Sequence, residues 1–128
     1  METENVIVKK SKDFALRIIN MYKYLCVEKR EYVISKQVLR SGTSIGANVR
    51  EGVRGQTKPD FIAKMSVAQK EAEETCYWLE LLYESGYINK SIFESMYRDN
   101  LEINRILASI ILTARQNLKN QLKPKAES

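Results

Sequence analysis

Among the residues able to do chemistry, the cations of one short stretch stand out, because Lys36, Arg40, Arg50 and Arg54 recur at spacings that fit one side of a helix, and Lys58 in the turn that follows joins them. A cationic stripe on an extended helix can follow a phosphate backbone, with arginine offering forked donors that a lysine lacks. Lys9, Lys10 and Lys12 near the amino terminus extend the same charge. A charged stripe is also what a plain solvated helix face looks like, so both readings stand at this point. Carboxylates provide the second set. Glu71, Glu74 and Glu80 are the acids and bases that a catalytic reading would need, but nothing in their spacing orders them around a pocket. Glu74 shares a helical flank with Val67, Trp78 and Leu81. A carboxylate buried there requires a partner, for which Arg50, Asn48 and Glu51, the last across a subunit boundary, are the candidates. Asn48 borders the apolar arc of its helix, which suggests a hydrogen bond between helices rather than contact with a base. Of the seven tyrosines, Tyr32 and Tyr97 lie off core spacing and are the two that could stack on unpaired bases.

What is missing narrows the chemistry further. The chain has no histidine, which removes the commonest general base and the commonest metal ligand. Cys26 and Cys76 sit among apolar neighbours at a separation that suits neither a metal site nor a disulfide scaffold, and both are read as reduced core thiols. No cofactor and no enzymatic activity are expected. The net charge is +5, unevenly placed: residues 1–60 carry 12 Lys/Arg against 7 Asp/Glu, residues 61–110 carry 5 against 8, and residues 111–128 carry 4 against 1. A chain basic at both ends suits an anionic partner or association between opposite surfaces. Residues 1–12 lack the apolar core of a secretory signal and no apolar run approaches membrane-spanning length, so a cytoplasmic protein with no membrane partner is expected.

The elements that position these residues are helices. With 128 residues, 44% of them hydrophobic, the chain is long enough for one core and too short for two. A first helix over about 11–29 starts at Ser11 as N-cap and repeats Phe14, Ile18, Tyr22, Leu25 and Cys26 at helical spacing. The second, about 35–53, contains Gly42, Gly46 and Gly52, each costing about 1 kcal/mol in a helix relative to alanine. On a helical wheel, however, Val38, Gly42, Ile45, Val49 and Val53 fall on one arc, with Lys36, Arg40, Arg50 and Arg54 on the other. A loop has no reason to sort itself in this way. Pro59 and Asp60 open a third helix, whose seam runs Phe61, Met65, Ala68, Ala72, Thr75, Leu79 and Leu82. Gly86 ends it. Asn89 caps a fourth helix over about 90–121, with Met96, Ile103, Leu107, Ile110, Ala114 and Leu118 on its core face and an interruption at Asp99-Asn100. The chain therefore divides into an N-terminal segment 1–10, a four-helix bundle domain 11–121 and a flexible tail 122–128. The expected fold is all-α, an antiparallel up-down four-helix bundle. Val67, Trp78 and Leu81, with Tyr97, Leu101, Ile106 and Leu112, lie off the seams and mark an interface between copies.

The run Val38-Leu39-Arg40-Ser41-Gly42-Thr43-Ser44-Ile45-Gly46-Ala47-Asn48-Val49-Arg50-Glu51-Gly52 closely resembles the signature of the four-helix bundle proteins encoded within 23S ribosomal RNA intervening sequences. Phe61, Ala68, Glu74, Thr75, the Trp78-Leu79 pair and the Gly86-Tyr87-Ile88 turn are similar to the same family, so the resemblance spans roughly residues 10–118. It implies a bundle that assembles as a ring, typically a homopentamer, and a relation to accessory proteins of diversity-generating retroelements, which bind nucleic acid and a reverse transcriptase. It implies no catalytic residues. Two expectations follow: a homo-oligomer that binds RNA through Lys36, Arg40, Arg50, Arg54 and Lys58, with Asn48, Glu51, Glu74 and Trp78 in structural or interface roles, or a protein-interaction scaffold that binds no nucleic acid.

Overall fold

The computed structural model describes residues 2–123, and these form four helices: α1 (Glu2–Val27), α2 (Ile34–Val53), α3 (Lys58–Glu84) and α4 (Lys90–Leu122). Each packs on the next in sequence, and α4 closes back against α1 through the thinnest of the four contacts. This is the expected antiparallel up-down bundle. Its centre is filled by Phe14, Ile18, Ile45, Met65, Leu79, Leu82, Ile103 and Leu107, all fully buried.

The first helix begins nine residues before the expected N-cap. Ser11 lies in the middle of α1, fully buried, with its hydroxyl donating to Ile7 O at 2.7 Å. Ile7 is the reason: it stands four residues before Ser11 and is itself buried, so the apolar stripe continues for another turn and overrides the capping preference of serine. Glu2 and Glu4 in the first turn suit the positive end of the helix dipole. Residues 2–10 are thus part of the bundle rather than a separate segment. At the other end, Leu122 closes α4 with Lys123 as its C-cap. The remainder of the expected tail, 124–128, lies outside the described residues.

Between α1 and α2 the chain turns through Arg30, which adopts a left-handed conformation (φ 52°), and Glu31 N–H reaches back to Leu25 O at 2.9 Å. The Glu31 side chain then folds over the start of α2. Its carboxylate accepts the N–H groups of Val33, Ile34 and Ser35 at 3.0, 2.8 and 2.6 Å, donors that would otherwise lack partners at a helix N-terminus. Within α2, Val38, Gly42, Ile45 and Val49 are buried as the wheel requires, whereas Val53 is exposed at the helix end. A Cβ built on Gly42 would lie 2.7 Å from Ile18 Cγ1, so α1 and α2 approach at a distance that only glycine permits.

Thr57 caps α3 by accepting Asp60 N–H, with Pro59 in the first turn, and Asn89 caps α4 by accepting Ile92 N–H at 2.8 Å. Gly86 takes the left-handed conformation (φ 86°) expected of it. Along α3, Met65, Ala68, Ala72, Thr75, Leu79 and Leu82 are buried, while Phe61 at the start of the seam is only half-buried. The helix α4 is not interrupted at Asp99-Asn100. Asn100 is fully buried, and its amide donates to Ala72 O at 2.7 Å and lies 3.0 Å from Cys76 Sγ. Both cysteines are free and half-buried. No described helix is long and apolar enough to cross a membrane.

Candidate nucleic-acid interface at one end of the bundle

The cations singled out on α2 do not share one environment. Lys36, Arg50 and Arg54 are exposed and make no ion pair among the described residues. Arg40 instead bridges to α3, with one guanidinium nitrogen on Glu71 at 3.1 Å and the other on Glu74. Glu74 also accepts Trp78 Nε1–H at 3.0 Å. Helix register decides the pairing. The antiparallel α2–α3 packing sets Ser41 beside Thr75, their hydroxyls 2.9 Å apart, and Glu51 beside Lys64 at 3.1 Å. Arg40 is therefore level with Glu74, while Arg50, ten residues on, is about 15 Å further along the helix. Within the chain the partner of Glu74 is Arg40, not Arg50 or Asn48. Asn48 is equally local, since its amide donates to Ser44 O at 2.8 Å on the same helix, and no bond from it crosses to another helix. One cation facing two carboxylates leaves this group net negative, so it repels a phosphate.

With Arg40 engaged, Lys36 is separated from Arg50 by about 21 Å of helix. The remaining cations gather at one end. Arg54 and Lys58 flank the α2–α3 turn, and the last turns of α4 bring Arg115, Lys119 and Lys123 to the same end. Of these cations Lys58 lines a cavity of about 430 Å³, with Gln56, Phe61, Ile110, Thr113 and Asn117 in its wall and Thr3 and Glu4 of α1 completing it, whereas Arg115, Lys119 and Lys123 border a separate hollow with Leu118 and Leu122. None of these five cations makes an ion pair among the described residues. Of the acidic groups at this end, Glu51 pairs with Lys64, Asp60 stands in the first turn of α3, and Glu4 lines the cavity itself. In the N-terminal group, Lys9 pairs with Asp13 at 2.7 Å and Lys10 with Glu102 at 2.8 Å. The contribution of α4 was visible in sequence only as the 4-to-1 charge balance of residues 111–128; its position beside the α2–α3 turn follows from antiparallel order.

The two tyrosines considered for base stacking differ. Tyr32 is exposed, whereas Tyr97 packs on Phe93 with ring centroids 5.0 Å apart and donates its hydroxyl to Glu80 at 3.3 Å. Burial pushes the Tyr97 hydroxyl above its usual pKa, with Cys76 and Glu80 adding to the effect, and burial likewise pushes up the Cys76 thiol. Neither group is activated as a nucleophile at neutral pH. Glu71 and Glu74 face Arg40 and Glu80 faces Tyr97, so the three carboxylates do not converge on one point.

Residues 3–109 match the family model described as 23S rRNA-intervening sequence protein. A crystal structure from Bacteroides thetaiotaomicron, of a protein with unknown function from the S23 ribosomal protein family, is similar at 54% identity with a TM-score of 0.84. The match covers 85% of this chain and 97% of that one. No curated protein matches.

Proposed function

The chain belongs to the 23S rRNA-intervening sequence protein family, and from that premise we propose that it is a non-catalytic, self-associating bundle that binds RNA through its basic end. The observation that carries this reading is that Arg54 and Lys58 at the α2–α3 turn and Arg115, Lys119 and Lys123 in the last turns of α4 stand at one end of the bundle with no ion-pair partner among the described residues. A polyanion that spans this end neutralises these charges while releasing its own counterions. Arg50 extends the basic surface up α2, and Arg40 and Lys36, the latter beyond the Arg40 carboxylate group, stand outside it. Backbone phosphates supply most of the affinity in such an interface, so little sequence preference is expected.

The salt dependence of binding is the test. Each phosphate neutralised on a single strand contributes about −0.7 to the slope of log K against log salt. Replacing Arg54, Lys58, Arg115 and Lys119 by glutamine should flatten that slope by up to about 3 units per engaged chain, measured by filter binding. Exposed charges contribute little to stability, so the fold should survive. An unchanged slope in a folded variant would overturn the reading.

The scaffold alternative is favoured by one observation, the exposure of Val67, Tyr77 and Leu112 on α3 and α4. Affinity purification with and without ribonuclease separates the two: partners that persist after ribonuclease treatment support the scaffold, and partners lost with the RNA support the basic end.

A further inference from the structure

We infer that the cavity at the basic end receives one unpaired nucleobase of the bound RNA while Lys58 in its wall holds the attached phosphate. This rests on the RNA reading and specifies which part of the nucleotide each side of the site takes. A surface that bound only phosphate would need no cavity, yet here a space of about 430 Å³ opens between the α2–α3 turn, α1 and α4. That volume falls within the range of small-ligand pockets. Its lining is mixed, with the opposite charges of Glu4 and Lys58 beside apolar and neutral polar residues. Phe61 and Ile110 provide apolar wall, and Gln56, Thr113 and Asn117 provide amides and a hydroxyl.

The apolar wall, the amides and the cation each match part of a nucleotide. An aromatic ring and an aliphatic neighbour suit the flat apolar faces of a base. Amide side chains both donate and accept, so Gln56 and Asn117 can meet the mixed edge of any base without demanding one of them. Lys58 lines the cavity and makes no ion pair among the described residues, so it can take the phosphate attached to a base inside. An acyl chain would leave the amides without partners, and a neutral sugar would leave the cation unused. Because Phe61 is half-buried, one part of its ring remains available while the rest anchors α3 in the core.

The test compares the full chain with Thr113→Leu, a substitution at an exposed helix position that fills the cavity and favours helix. Three probes are used: a short single-stranded RNA, the same RNA carrying 2-aminopurine, and a sugar-phosphate strand of equal length without bases. Wild type should bind the intact RNA about tenfold more tightly than the base-free strand, since stacking is worth about 1–3 kcal/mol per base. The 2-aminopurine emission should rise as that base leaves its neighbours. Thr113→Leu should bind both strands equally, at the base-free affinity, with the salt slope unchanged. Equal wild-type affinity for both strands, or wild-type affinity in a folded Thr113→Leu, overturns the base pocket and leaves phosphate binding standing. Absence of binding to either strand overturns the RNA reading itself, and the pocket with it.

Discussion

Glu31 sets the start of α2, and its chemistry makes the start of that helix sensitive to acid. Burial alone would raise its pKa, but the hydrogen bonds from Ile34, Ser35 and Val33 and from the Ser35 side chain outweigh it and hold the carboxyl below its usual value. A lowered folded pKa means stability that is present above the unfolded value of about 4.3 and lost as pH falls through the folded one. Urea denaturation across an acid series should therefore show wild type losing stability below about pH 4.3, with a flatter profile in Glu31→Gln. An identical profile in the variant would contradict this role. The sequence did not reveal this residue, because a capping side chain three residues before a helix resembles any surface glutamate. Glu74 illustrates a different limit: its need for a partner was legible, but the partner depends on the register of two helices. Arg40→Gln should cost about 1 kcal/mol, discounted because the pair is partly exposed, while Arg50→Gln should stay within about 0.5 kcal/mol. Thermal melts of the two variants decide this, and equal effects would place the pairing in doubt.

At the scale of elements, the four helices were legible because apolar periodicity sums over many residues, whereas their starts depend on one or two. The wheel of α2 outweighed its three glycines correctly, and the Gly42–Ile18 approach explains why. Alanine is the better helix former, yet at position 42 its methyl would press on a β-branched side chain fixed in the core. Gly42→Ala should lower stability by about 1 kcal/mol in spite of its propensity gain, measured by urea denaturation. A more stable variant would mean that α1 and α2 can separate without penalty. The opposite error occurred at Asn100, where a polar residue suggested a break in α4. Its amide is matched by a backbone carbonyl on α3, a bond that no single-helix pattern encodes. Ser11 misled for a related reason: a buried serine that back-bonds to its own helix has the same letter as a cap.

Self-association belongs to the whole molecule. Val67, Tyr77 and Leu112 leave 41%, 54% and 60% of their surface exposed, and apolar exposure on adjacent helices is what a partner copy would cover. Light scattering at micromolar concentration should give a mass several times 14.8 kDa, and Val67→Glu should reduce it, because an unpaired charge in an interface costs several kcal/mol. A monomer mass for wild type would refute the assembly. The basic end was legible only in part at this scale. Its α2 residues were visible as a stripe, but the share from α4 required knowing which helix ends meet. The contact between α1 and α4 has a further consequence. Alone among the four seams it has no connecting turn, and it carries Lys10–Glu102, Arg17–Asp99 and the Arg17–Ser95 hydrogen bond at 2.8 Å. Such exposed pairs are worth about 0–1 kcal/mol each and weaken as salt screens them, so the bundle should open there first, as a book opens along its unbound edge. Amide exchange in α1 should quicken with added salt while the α2–α3 pair stays slow. The cavity spans that edge, from Thr3 to Asn117. Salt should therefore act on the proposed RNA capture twice, once through the phosphates and once through breathing of the site itself, and exchange rates measured at each salt concentration separate the two.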